Sequence, residues 1–137
     1  MSTLPTWMRR ALFATAAMNL AGAALFAPSA RALRAVAGFP EAEHPLYLAI
    51  VGMFVLLFGL GYLWSAASGR ADRVFIAVAA AGKLSFVALL VAFWAAGALS
   101  ARAPLVGAGD LVFGVLFLVW LYGPQPSYSS AVASQPR

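Results

Sequence analysis

Residues Val74 to Leu99 read VFIAVAAAGKLSFVALLVAFWAAGAL. These 26 residues are almost wholly apolar and contain one full charge, Lys83. As a helix rising 1.5 Å per residue they extend about 39 Å, enough to cross a hydrocarbon core of roughly 30 Å with tilt to spare. A lysine near a bilayer centre costs about 2.5–3.5 kcal/mol, so its side chain either snorkels to the headgroups or finds a partner. Where Lys83 sits, and what faces it, governs the reading of the rest.

The composition outside this stretch agrees with it. Of 137 residues, 64% are hydrophobic and 9% charged, against about 25% charged in a soluble domain. Helices are the open-ended way to satisfy the backbone in lipid, and the alternating segments of a β-barrel are absent. The expectation is an all-α integral membrane bundle of four transmembrane helices, a single domain over residues 1–123. The net charge of +5 comes from nine basic and four acidic residues. The bases stand singly or in pairs beside apolar runs, which suits anionic lipid headgroups and not nucleic acid. With no cysteine, disulfides, thiolate chemistry and iron–sulfur ligation are excluded.

Taken in order, Met1 to Arg10 is a basic lead with Trp7 at interfacial depth, and the first span runs from Ala11 to about Ala27. A basic start followed by an apolar run also fits a cleavable signal peptide. Asn19 and the small residues Ala14, Ala17, Ala21, Gly22 and Ala24 favour a retained, closely packed helix. Pro28 and Ser29 end it. The loop from Ala30 to Pro45 holds a short amphipathic turn with Arg31 and Arg34, then Gly38, Pro40, Glu41, Glu43 and His44. The second span is Leu46 to Ala67. The turn from Ser68 to Arg73 makes spans two and three antiparallel neighbours. Val74 to Leu99 is the third span, Ser100 to Pro104 a tight turn, and Leu105 to about Tyr122 the fourth. The C-terminal tail, 124–137, is rich in Ser, Pro, Gln and Ala and is expected to be disordered.

Four spans put both termini on one side. That side collects Arg9, Arg10, Arg70, Arg73 and Arg137, against Arg31, Arg34 and Arg102 on the other, so the positive-inside rule makes the termini cytoplasmic. At 1.5 Å per residue Asn19 and Lys83 lie about 13 Å from that edge and Asp110 about 18 Å. Three spans thus carry a polar side chain within one thin slab, with Tyr62 and Trp64 nearer the surface. Asn19, Tyr62, Lys83 and Asp110 form the candidate intramembrane polar site. Gly107 and Gly114 share the face of Asp110 and permit close approach of a neighbouring helix. Three readings stay open: Lys83 snorkels while Asp110 starts the fourth helix, the two form a structural ion pair, or they belong to a functional site.

His44, the one histidine, reads as a loop residue; with Glu41 and Glu43 it makes a poor metal site. No metal centre or cofactor is expected, and a bis-histidine haem is impossible within the chain. The aromatic residues read as packing or lipid contact. No phosphate loop, catalytic carboxylate pair or nucleophile–base set is present.

The basic start, the short first helix with Asn19, the loop from Pro28-Ser29 to Phe39-Pro40 and three closely linked helices resemble the small bacterial four-helix DoxX-like membrane proteins. Gly109-Asp110-Leu111-Val112-Phe113-Gly114 is similar to stretches in uncharacterised members. The resemblance covers residues 8 to 123 and implies the architecture and a bacterial inner-membrane location. Some of that group are linked to quinone or thiosulfate oxidation complexes, and many have no known role. The sequence-based expectation is a structural or accessory subunit of a membrane complex, or a homo-oligomer, with membrane lipids as partners. The alternative is a carrier or binder of a small hydrophobic molecule, quinone or lipid, in a cavity near Lys83, Asn19 and Tyr62, or a small transporter; a membrane enzyme would have only Lys83, Asp110 and Tyr62 to work with.

Overall fold

Each helix end leaves four N–H or four C=O groups without an intrahelical partner, and how this chain satisfies them sets its elements. The computed structural model describes residues 2–42 and 44–124; all of the C-terminal tail beyond Pro124 lies outside them. The described residues form six helices: α1 Thr6–Leu25, α2 Arg31–Ala37, α3 Pro45–Ser68, α4 Arg73–Ala95, α5 Arg102–Val106 and α6 Ala108–Tyr122. A two-residue antiparallel ladder joins β1, Ser2–Thr3, to β2, Arg70–Ala71, and so ties the start of the chain to the α3–α4 turn. The structure is all-α apart from this ladder.

Side chains cap the N-termini of the two longest helices. The His44 ring accepts from the Leu46 N–H ahead of Pro45, and the Asp72 carboxylate accepts from the Phe75 N–H at 3.0 Å. Three C-termini are capped by arginines from elsewhere in the chain. Arg9 Nε donates to the Ala66 carbonyl at 2.7 Å at the end of α3. Arg73 donates to the Leu121 carbonyl at the end of α6. Arg34 donates to the carbonyls of Leu25 at 3.1 Å and Ala27 at 2.6 Å where α1 ends. Cations placed there also oppose the negative end of the helix dipole.

Helix α4 stops at Ala95, four residues before the expected Leu99. Gly97 takes a φ of 76°, and the N–H groups of Gly97 and Ala98 return to the carbonyls of Trp94 and Phe93. This is a left-handed glycine stop, which an apolar composition conceals. The expected fourth span is also corrected. Leu105 to Tyr122 is not one helix but breaks at Gly107, and the supposed turn at Ser100 to Pro104 already contains the start of α5. A Cβ at Gly107 would lie 2.9 Å from Leu90 Cδ1, so the break lets the backbone pass against α4. At 15 residues, α6 extends about 22 Å, short of a hydrocarbon core. Among the described residues two helices, α3 and α4, are long and apolar enough to cross a membrane.

α1 packs along α3, α4 along α6, and α1 also touches α6. Gly59 brings α3 against Asn19 and Leu20, where a Cβ would lie 3.1 Å from Asn19 Cβ. The consecutive helices α3 and α4 are neighbours of a different kind. Their backbones barely approach, and they meet through Phe75, whose ring lies 6.1 Å from Phe58 and 5.7 Å from Tyr62. The core gathers at this end, around Met8, Leu12, Tyr62, Ile76, Phe117 and Trp120.

Two glycines test this packing in opposite directions. A Cβ at Gly114 would stand 2.9 Å from Leu84, whereas one at Gly82 meets nothing within 4 Å. Gly114→Val is expected to cost about 1–3 kcal/mol through overpacking. Gly82→Ala is expected to be neutral or to stabilise by up to about 1 kcal/mol through helix propensity. Thermal unfolding of both variants in detergent checks the contrast.

Candidate functional site

Lys83 stands midway along α4 and is 5% exposed. Its ammonium donates to Asp110 Oδ1 at 2.6 Å and to Asn19 Oδ1 at 3.2 Å. It also lies 5.3 Å from the ring centroid of Tyr62 and 5.9 Å from that of Phe113. Asn19 is held in turn, its Nδ2 donating to the Val55 carbonyl at 3.2 Å. Side chains from α1, α3, α4 and α6 therefore meet at one ammonium group, and the four candidate residues lie together.

This settles how the two opposite charges are arranged. Asp110 does occupy the first turn of α6, but its carboxylate is spent on Lys83 and not on a capping bond. Lys83 does not snorkel. A carboxylate, an amide oxygen and two ring faces offset the desolvation of its charge. Gly114 permits the approach of α4, since a Cβ there would sit 2.9 Å from Leu84, next to Lys83.

Beside the cluster is a cavity of about 310 Å³ between α1, α3 and α4. Phe54 and Phe58 of α3 and Phe86 of α4 form much of its wall, and Phe26 with Phe39 closes another side, their rings edge to face at 6.3 Å. Gly22 and Gly82 also line it, and the side chains they lack leave space there. Asn19, Tyr62, Lys83 and Asp110 supply its polar part. Tyr62 is 2% exposed, its ring is held by Phe58, Phe75 and Phe117, and its hydroxyl makes no hydrogen bond among the described residues. An apolar pocket with a few convergent polar groups is the usual form of a small-molecule site.

The remaining candidates lie elsewhere. His44 is exposed at the start of α3. Glu41 faces Arg34 at 3.4 Å and Arg31 at 3.9 Å, and Glu43 lies outside the described residues. Among the described residues no three histidine, aspartate or glutamate side chains gather to hold a metal. A cavity beside Asn19, Tyr62 and Lys83 was expected from the sequence only under the carrier alternative, without its apolar walls, and Arg34 was read as an interfacial charge when that side chain is 2% exposed. The signals available for the cavity were Gly22 and Gly82, glycines inside helices that no turn requires. Comparison of the chain with protein-family models, with curated proteins and with solved structures finds no match.

Proposed function

We propose that this is an integral membrane protein that binds a small, largely apolar molecule, a quinone or a lipid, in the cavity beside Lys83. The observation that carries the reading is the cavity itself, apolar on most sides and bordered by a buried, internally neutralised polar cluster. The membrane setting is supported by α3, in whose most apolar window only 11% of residues are buried. An apolar helix left so bare suits a lipid solvent and not water. On this reading α1, α3, α4 and α6 make four crossings of a bacterial inner membrane. The short α6 is accommodated by local thinning and by α5 ahead of it. Arg9, Arg70 and Arg73 belong to one end of the helices, which favours that end as cytoplasmic. The DoxX-like resemblance adds its architecture to the proposal and no residue role.

Bonded as it is, the cluster suits recognition better than catalysis, since Lys83 is committed to a carboxylate and no nucleophile–base pair stands beside it. The direct test is solvent extraction of purified protein followed by mass spectrometry. A small apolar molecule in near-stoichiometric amount is expected, and Gly82→Leu, which meets no protein atom at its Cβ, is expected to lose it while keeping its fold. An empty extract with a stoichiometric partner protein would replace this reading by the accessory-subunit one, for which the bare face of α3 offers a surface. Orientation is checked separately. Reporters fused after Ser68 and after Pro124 are expected to read cytoplasmic and one at Glu41 external; a cytoplasmic signal at Glu41 overturns the topology.

A further inference from the structure

The polar part of the cavity has a definite hydrogen-bonding character. An ammonium has three donors, and Lys83 commits them to two acceptors, Asp110 Oδ1 and Asn19 Oδ1. The Tyr62 hydroxyl, on a side chain only 2% exposed, is a further donor without an acceptor among the described residues. Both residues line the cavity. Asn19 spends one N–H on the Val55 carbonyl and one lone pair on Lys83, which leaves it a second N–H as a further donor beside one acceptor site. The site therefore has donors to spare, which suits an acceptor on a bound molecule.

Its charge is balanced. Lys83 and Asp110 stand 2.6 Å apart, so a head of either sign would meet a like charge close by in a medium of low dielectric, where the interaction is strong. An anionic head attracted to Lys83 meets Asp110, and a cationic head attracted to Asp110 meets Lys83. A neutral acceptor meets neither penalty. Size sets a further limit. About 310 Å³ is roughly twice the ~150 Å³ cavity known to take up benzene, room for a head and the first part of a chain.

We infer that the cavity selects a neutral amphiphile whose head carries a carbonyl-type acceptor, placed between the Tyr62 hydroxyl and the Lys83 ammonium, with its hydrocarbon part against Phe54, Phe58 and Phe86. The inference rests on the cavity being a binding site, as proposed above. Its chemistry is shared by an ester of a lipid and by the carbonyl of a quinone.

The test uses the full chain in nanodiscs and probes of similar tail length: dodecane, methyl dodecanoate, dodecanoate, dodecylamine and a benzoquinone bearing a ten-carbon tail. Affinities are compared as mole fraction in the bilayer. Methyl dodecanoate, the quinone or both are expected to bind at least about tenfold more tightly than the other three, and whichever binds more tightly identifies the source of the carbonyl. Tyr62→Phe keeps the ring and removes the donor. It is expected to reduce that preference about three- to tenfold, the loss of one hydrogen bond, while leaving dodecane unchanged. Dodecanoate or dodecylamine binding as tightly as the ester, or a preference unmoved by Tyr62→Phe, overturns the inference. Dodecane binding that equals the ester and is abolished by Gly82→Leu also overturns it, but leaves the cavity reading standing. Failure of every probe to bind the unaltered protein overturns both.

Discussion

Lys83→Met is expected to destabilise the protein by about 3–5 kcal/mol, because it strands the Asp110 carboxylate in a site of low dielectric. Asp110→Asn is expected to fall at or below the lower end of that range, since an amide oxygen still offers Lys83 an acceptor. The double variant is expected to be far less destabilised than the sum, since replacing both members of a buried pair is often near neutral. The coupling comes from the contact itself, Nζ to Oδ1 at 2.6 Å with the lysine 5% and the aspartate 19% exposed. The measurement is a double-mutant cycle read as denaturant unfolding in detergent. Additive effects within about 0.5 kcal/mol would mean that the two residues act independently. Asn19→Ala supplies a control. It removes one acceptor from Lys83 but leaves the ion pair, so its cost is expected near 1–2 kcal/mol.

This pair was half legible in the sequence. Counting residues from the span ends placed Lys83 and Asp110 within one slab, because antiparallel helices convert sequence offset into depth. The count did not choose between pairing and two separate fates, since that choice depends on how closely α4 and α6 approach. Gly114 carried that information, as it lets Leu84 of α4 close on α6. The two longest helices were legible from apolar length alone, with their boundaries shifted by caps. Gly97 was read through because its neighbours are apolar, yet its left-handed backbone ends α4. Gly107 was read through for the same reason. The polar side of the cavity was legible as an alternative near Lys83, Asn19 and Tyr62, but its aromatic walls were not, for they depend on side chains that do not meet across helices distant in sequence. The antiparallel link between α3 and α4 was foreseen, but not that aromatic rings would hold their backbones apart.

Arg34 is the second residue on which a large effect is expected, and nothing in its composition or spacing distinguished it from Arg31. Arg31 lies in solvent at 80% side-chain exposure, whereas Arg34 is 2% exposed. The Arg34 guanidinium reaches the carbonyls of Leu25, Ala27 and Pro28, the last at 3.4 Å, and the Glu41 carboxylate, also at 3.4 Å. Arg34→Met keeps much of the stem's packing and removes every donor, and is expected to cost about 3 kcal/mol, roughly 1 kcal/mol for each carbonyl left unpaired. Arg34→Lys is expected to recover less than half, because an ammonium cannot reproduce the planar fork that serves several acceptors. Glu41 separates the two roles of this arginine. Its side chain is 41% exposed, so Glu41→Gln is expected to cost under about 1 kcal/mol. A Glu41→Gln loss as large as that of Arg34→Met would make the ion pair, and not the capping of α1, the source of the stability. The same contrast reaches the cavity. Phe39 follows the Gly38 cap of α2, its N–H returns to the Arg34 carbonyl at 3.0 Å, and its ring lies 6.3 Å from that of Phe26, so loosening α2 opens that wall. Arg34→Met is therefore expected to weaken retention of the bound molecule, and Glu41→Gln to leave it intact.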